Sequence, residues 1–218
     1  MKKFCWILAV FTLPFLAGCS ADSGDFRQQS YTADSEEVAS IRIDVTDRKI
    51  DIVPSSDGRI VITYHESEKE AYDLSLSDDK TLTMTAKNNK EWTDFIGGKA
   101  DQSLRTIQLQ LPEAMLSSLD ITTTNEDVTL PSLALSQDIA IDVNNGNIRF
   151  DKLDAGNAIS LKVKNGDISG TIVGGYDDFT ISSSVKKGES NLPEQAGNGD
   201  KQLTVDANNG DIRIQFEK

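Results

Sequence analysis

Catalysis at neutral pH usually recruits a histidine to move protons, and this chain of 218 residues has one, His65, inside the strand-like run Val61-Ile-Thr-Tyr-His65. A Ser-His-Asp triad would have to use it, yet no nucleophile-elbow pattern accompanies it. A zinc site needs a cluster of nitrogen and sulfur ligands, and with only Cys5 and Cys19 besides that histidine no such cluster can be assembled. Acid–base cleavage of a glycan needs two carboxyl groups facing across a gap. The adjacent pairs Asp78-Asp79 and Asp177-Asp178 fall where turns are expected, and among 35 acidic residues adjacency carries little weight. Gly97-Gly98-Lys99 lacks both the earlier glycine and the following Ser or Thr of a phosphate loop. A recurring Asn-Gly-Asp invites calcium, which takes six to eight oxygens. The calcium-binding β-roll, however, repeats about every nine residues, whereas these turns carry one acid each, so Asp167 and Asp211 read as turn-stabilising carboxylates. No catalytic residue, metal or cofactor is assigned, and the chain is expected not to be an enzyme.

The remaining reactive group is the thiol of Cys19. Met1, Lys2 and Lys3 form a short basic start, and an apolar run from Phe4 to Ala17 follows, interrupted by Thr12 and Pro14. That run is too short to span a bilayer, which takes about 20 apolar residues, and it fits a secretory signal peptide over residues 1–18. Its end, Leu16-Ala17-Gly18-Cys19, resembles the lipobox of bacterial lipoproteins. That resemblance implies a diacylglycerol thioether on Cys19, cleavage just before it, and anchoring by several acyl chains, which hold where one is marginal. Cys5 leaves with the signal peptide, so the mature domain has no disulfide although its compartment permits one.

Residues 19–40, from Cys19 through the polar and acidic SADSGDFRQQSYTADSEEVAS, are read as a flexible tether. A coil of that length spans about 25 Å, enough to hold a domain off the headgroups. Two of the 22 basic residues lie in the signal peptide, leaving 20 against 35 acids. So acidic a surface repels nucleic acid, which is excluded as a partner, and leaves the acyl chains as the attraction to membrane.

These groups must be carried by a domain spanning residues 41–218, where apolar residues alternate with polar ones in short runs bounded by turn signals. A short helical turn is expected only at Ser67–Tyr72 and Glu113–Ser118. The second half repeats. Leu119 to Val128, Ile139 to Ile148, Ile159 to Ile168 and Leu203 to Ile212 align, and a degraded copy begins at Ile181. The second turn positions, Glu126, Gly146, Gly166, Gly188 and Gly210, step by 20, 20, 22 and 22 residues. Each copy presents aliphatic side chains at period two, then a tight turn whose Asn-Gly supplies positive φ.

Two architectures fit. If Asn-Gly closes a hairpin, Val143 faces Ile148 and Val205 faces Ile214 in an antiparallel meander or sandwich. If each unit is one coil of an all-β, right-handed β-helix-like solenoid, asparagines 125, 145, 165 and 209 stack in a ladder. The solenoid is preferred, because it explains why one residue type recurs at one offset. It also places Asp142 beside Lys162 and Ile141, Leu161 and Ile181 in one buried column, at the expense of setting Lys164 near Lys186.

Ile107-Gln-Leu-Gln-Leu-Pro112, Leu119-Asp-Ile121 and the Asn-Gly-Asp-Ile units together resemble the bacterial putative-adhesin family of β-strand-repeat domains, from about Ile41 to the C-terminus. Asn125-Glu126-Asp127 and Lys187-Gly188-Glu189 depart from the motif. The resemblance implies a β-solenoid in the cell envelope and little chemistry. One stretch breaks the alternation, Lys90 to Lys99, where Trp92, Phe95 and Ile96 cluster on a polar insertion. They either cap the open end of the solenoid or form a contact for a partner. The expected function is a lipid-anchored, extracytoplasmic surface module that meets a protein or glycan, with an envelope ligand-binding or sensory module as the alternative.

Overall fold

The computed structural model describes residues 26–88, 99–112 and 116–218. Cys19, Trp92, Phe95 and Ile96 lie outside the described residues. Alternation at period two becomes strands throughout, and among the described residues the strands form two nine-stranded sheets.

One coil consists of a strand in the second sheet, a tight corner, and a strand in the first sheet. The pairs are β2 (Ser40–Asp44) with β3 (Lys49–Pro54), β8 (Ser118–Thr123) with β9 (Val128–Leu130), β11 (Asp138–Asn145) with β12 (Ile148–Ala155), β13 (Ala158–Asn165) with β14 (Ile168–Val173), and β17 (Lys201–Asn209) with β18 (Ile212–Glu217). A short β10 (Leu133–Leu135) also pairs with β12. Successive coils pair in parallel and in register, as in Asp142↔Lys162 and Val143↔Val163. This is the solenoid. The hairpin meander is overturned for the repeat, since Val143 neighbours Val163 of the next coil and not Ile148.

Register stacking puts like on like. Leu82, Ile41, Leu119, Ile139, Ile159, Leu203 and Ile181 form one continuous column, and every member is at most 2% exposed. Each such side chain contributes about 1.5–3 kcal/mol through burial, so a domain without a disulfide draws its stability from these rows.

Stacking order departs from chain order at both ends. β6 (Thr81–Asn88) and β7 (Thr106–Leu111) form a coil that lies outside β2 and β3 although it follows them in sequence. At the other end β17 sits between β13 and β15 (Phe179–Lys187). The expected column of Ile141, Leu161 and Ile181 is therefore corrected: Leu161 meets Val205, and Ile181 meets Leu203. Electrostatics favours this order. Asp206 falls between Lys162 and Ser184, and the flanking register sets Asn208 between Lys164 and Lys186, which removes the like-charge contact.

Antiparallel strands close the ends. β4 (Arg59–Glu66) pairs with β7, β5 (Glu70–Leu76) with β6, and β16 (Gln195–Ala196) with β15. The expected tether also changes here. Arg27–Asp34 forms β1, paired with β4 from Arg27↔Glu66 to Asp34↔Arg59. Tyr31 packs on the core and Ala33 is buried in it, which gives this polar stretch an apolar face. The turns differ as well. Short 3-10 turns occupy Ser35–Glu37, Gln102–Arg105 and Tyr176–Asp178. Ser67–Tyr72 holds the bend leading into β5, and residues 113–115 of the second expected turn lie outside the described residues.

Candidate interaction surface

The corner joining the two sheets is built from two side-chain ladders. In the first, Asn145 Nδ2 donates to Asn125 Oδ1 at 2.6 Å, Asn165 to Asn145 and Asn209 to Asn165. Asn125 donates in turn to the Asp47 carboxylate, so the row of amide dipoles ends on a negative charge. Asp47 and Asn125 both hold positive φ, 56° and 59°, as their short polar side chains tolerate. The second ladder uses the residue two positions on. Asp127 Oδ1 accepts the Asn147 backbone N–H at 2.8 Å, Asn147 Oδ1 that of Asp167 at 2.9 Å, Asp167 Oδ1 that of Asp211 at 2.8 Å, and Asp211 Oδ1 that of Glu189 at 2.9 Å. These acids stabilise turns. Among the described residues no cluster of three or more His, Cys, Asp or Glu side chains could hold a metal ion.

Burial works to raise the Asp127 carboxyl, but the Asn147 backbone N–H, the Arg149 guanidinium and the Asn147 amide outweigh it and hold the group below its ordinary value. A carboxylate depressed on folding adds stability above its unfolded pKa, and that stability is lost as pH falls through the folded value. Thermal melts between pH 7 and pH 3 should therefore show a smaller acid loss in Asp127→Asn than in the natural protein, and parallel curves would refute the assignment.

Other singled-out residues have ordinary roles. His65 lies in β4, one strand in from the edge, and its buried Nδ1 has no hydrogen-bond partner among the described residues. A triad would hold that nitrogen on a carboxylate. Burial pushes the imidazole below its ordinary pKa. Asp79 accepts from Ser77 and Thr81 in the β5–β6 turn, and Asp178 Oδ2 accepts the Gly175 N–H at 2.6 Å. The described residues resume at Lys99, beside the asparagine corner. There Lys99 Nζ is 3.1 Å from Asp47 Oδ1, and Arg105 is paired with Glu126.

Two features are not foreshadowed by the sequence pattern. At the N-terminal end Arg48 is buried, donating to the Tyr72 hydroxyl and the Glu70 carboxylate with its guanidinium 5.6 Å from the Tyr72 ring centre. Burial opposes its charge, but Tyr72 and Glu70 more than offset that and raise its pKa. The neighbouring Tyr64 hydroxyl is pushed up to about 12, by burial first and then by Glu66 and Tyr72.

The second feature is a trough of about 390 Å³ on the outer face of β12, β14 and β18. Its floor is Ser169 and Thr171, and its walls carry Arg149 and Asp151 on one side and Arg213 and Gln215 on the other. Arg149 is paired with Asp127 and Arg213 with Asp211. The one signal in the sequence that could have found it is Ile148-Arg149 and Ile212-Arg213, the same residue after two corners.

Parallel coils, paired corner ladders and outward polar rows define a two-sheet β-solenoid that offers flat faces. Among the described residues no helix is long and apolar enough to cross a membrane. The chain belongs to the Toastrack DUF4097 family, whose model matches residues 38–173. No curated protein matches it in sequence. A solved structure of a putative cell adhesion protein from Clostridium sporogenes is similar to it at 11% identity and a TM-score of 0.53, covering 88% of this chain and 100% of that one. That likeness shows a shared fold. Putative adhesins from Parabacteroides merdae (14% identity, TM-score 0.39, 88% and 82% covered) and Bacteroides fragilis (12%, 0.33, 86% and 97%) are more distant, and their scores are too low to bear on topology.

Proposed function

We propose that this chain is a non-enzymatic cell-envelope lipoprotein that displays its solenoid outside the membrane for surface interaction or adhesion, contacting a protein or glycan. The observation that carries the reading is the Leu16-Ala17-Gly18-Cys19 sequence placed ahead of a rigid stacked domain. In that domain the aliphatic rows are buried and the outward rows are polar. The cell-adhesion name borne by the Clostridium sporogenes relative is consistent with it. The acids singled out in the sequence are engaged in turns, which also supports a binding rather than a catalytic role. Trp92, Phe95 and Ile96 are proposed as contact residues for a partner. The anchor is tested by fractionation: Cys19→Ser should move the protein from the membrane to the soluble fraction, and unchanged partition would refute it.

A further inference from the structure

We propose that the trough over β14 binds a neutral oligosaccharide. Its shape suits a sugar. Ser169 and Thr171 are short, while the flanking strands carry long side chains at the same level, so the face sinks by a side chain's length along β14. β12 and β18 are two strand spacings apart, about 9.6 Å. A sugar ring on that floor comes within hydrogen-bond reach of both walls.

The floor is also firm. A bulge sets Phe150 and Asp151 opposite the single residue Gly170. Phe150 fills the space that a side chain there would take, its ring 2.3 Å from where a Cβ would stand. Bulges re-aim side chains in this way, and this one turns Phe150 inward and leaves Asp151 outward on the rim.

Chemistry selects the ligand class. Each guanidinium gives one nitrogen to a ladder carboxylate, Arg149 Nη1 to Asp127 and Arg213 Nη2 to Asp211 at 2.6 Å. That contact fixes the arm and leaves further donors of the five on each group. Asp151 and Gln215 supply acceptors, and Ser169 and Thr171 supply hydroxyls that do either. A polyol, each hydroxyl of which donates and accepts, matches such a mixed lining. An anion does not, since both arginines are already neutralised, Asp151 adds a negative charge, and the chain as a whole carries −13. An extended peptide is also a poor fit. β14 is paired on both sides and offers no backbone edge, and the apolar lining residues Leu130 and Phe150 are buried.

This inference names the ligand of the displayed surface and so rests on the proposed function. The test applies the full chain, solubilised in detergent and fluorescently labelled, to immobilised neutral oligosaccharides of hexose and N-acetylhexosamine, beside uronate-bearing ones. Neutral sugars should be bound. The Arg149→Gln/Arg213→Gln double variant should weaken binding at least about tenfold, since losing several net hydrogen bonds amounts to 1.4 kcal/mol or more. Ser169→Trp, which fills the trough, should abolish it, and Lys162→Gln on the opposite sheet should leave it unchanged. Binding to no neutral sugar, to uronates alone, or with equal strength in the trough variants would overturn the proposal. Envelope display is decided separately, by the Cys19 fractionation, whichever of these results is obtained.

Discussion

Gly166→Ala is expected to lower the melting temperature by roughly 10 °C, from a loss of about 3–5 kcal/mol at two to four degrees per kcal/mol in a domain of this size. The cause is a backbone that has no room. A Cβ at Gly166 would stand 1.9 Å from the carbonyl oxygen of Gly146, the equivalent residue one coil away, at a φ of +147°. The carbonyl cannot retreat, because the same corner is tied to its neighbours by Gly146 N–H to Asn165 O at 2.9 Å and Gly166 N–H to Asn209 O at 2.8 Å. Gly58 provides the control. It also has positive φ, +74°, but among the described residues nothing lies within 4 Å of its Cβ position. Gly58→Ala should therefore lose only the conformational term, about 1 kcal/mol. Equal melting losses for the two variants would mean that close approach between coils is not what selects glycine at the corner.

The second large effect is expected at the opposite end of the stack. Arg48→Ala should destabilise the domain by about 3–5 kcal/mol, the range for removing one partner of a buried ion pair, again a fall of roughly 10 °C in a thermal melt. Glu70 would lose the guanidinium paired with it, and Tyr72 the donor to its hydroxyl. The double variant Arg48→Met/Glu70→Gln separates charge from packing, because it restores an apolar stem and removes the carboxylate that faced the guanidinium. Much of the loss should return. A double variant no better than Arg48→Ala would place the stabilisation in the contact between Arg48 and the Tyr72 ring instead.

The repeat was legible in the sequence for a physical reason. Stacking forces one residue type to recur wherever a side chain bonds to its own counterpart, and the ladder of residues 125, 145, 165 and 209 is that recurrence made visible. The first coil, Ile41 to Ile50, was harder to assign to the same series because Asp47-Arg48 stands where later copies have Asn-Gly. Asp47 nevertheless takes the same positive φ. β1 was hidden because its inward face carries little more than Tyr31 and Ala33, while its outward residues have a linker's composition. The order of the last two coils could not be read at all. Leu203 and Ile181 are equally good neighbours for Ile159, and what distinguishes them is that Asp206 falls beside Lys162 and Asn208 separates Lys164 from Lys186, which no local pattern pairs. The trough is not legible in the sequence because Arg149 and Arg213 are 64 positions apart and come to flank Ser169 only through that order.

Placing β17 between β13 and β15 means that a later strand occupies an interior course of the second sheet, while β18 edges the first. A polypeptide emerging N-terminus first has Phe179–Lys187 available before Lys201–Glu217, yet the earlier strand reaches its final neighbour only after the later one has arrived. Loss of Lys201–Asn209 would therefore open a gap between β13 and β15 instead of shortening the second sheet, and completion of that sheet waits on a strand synthesised after β15.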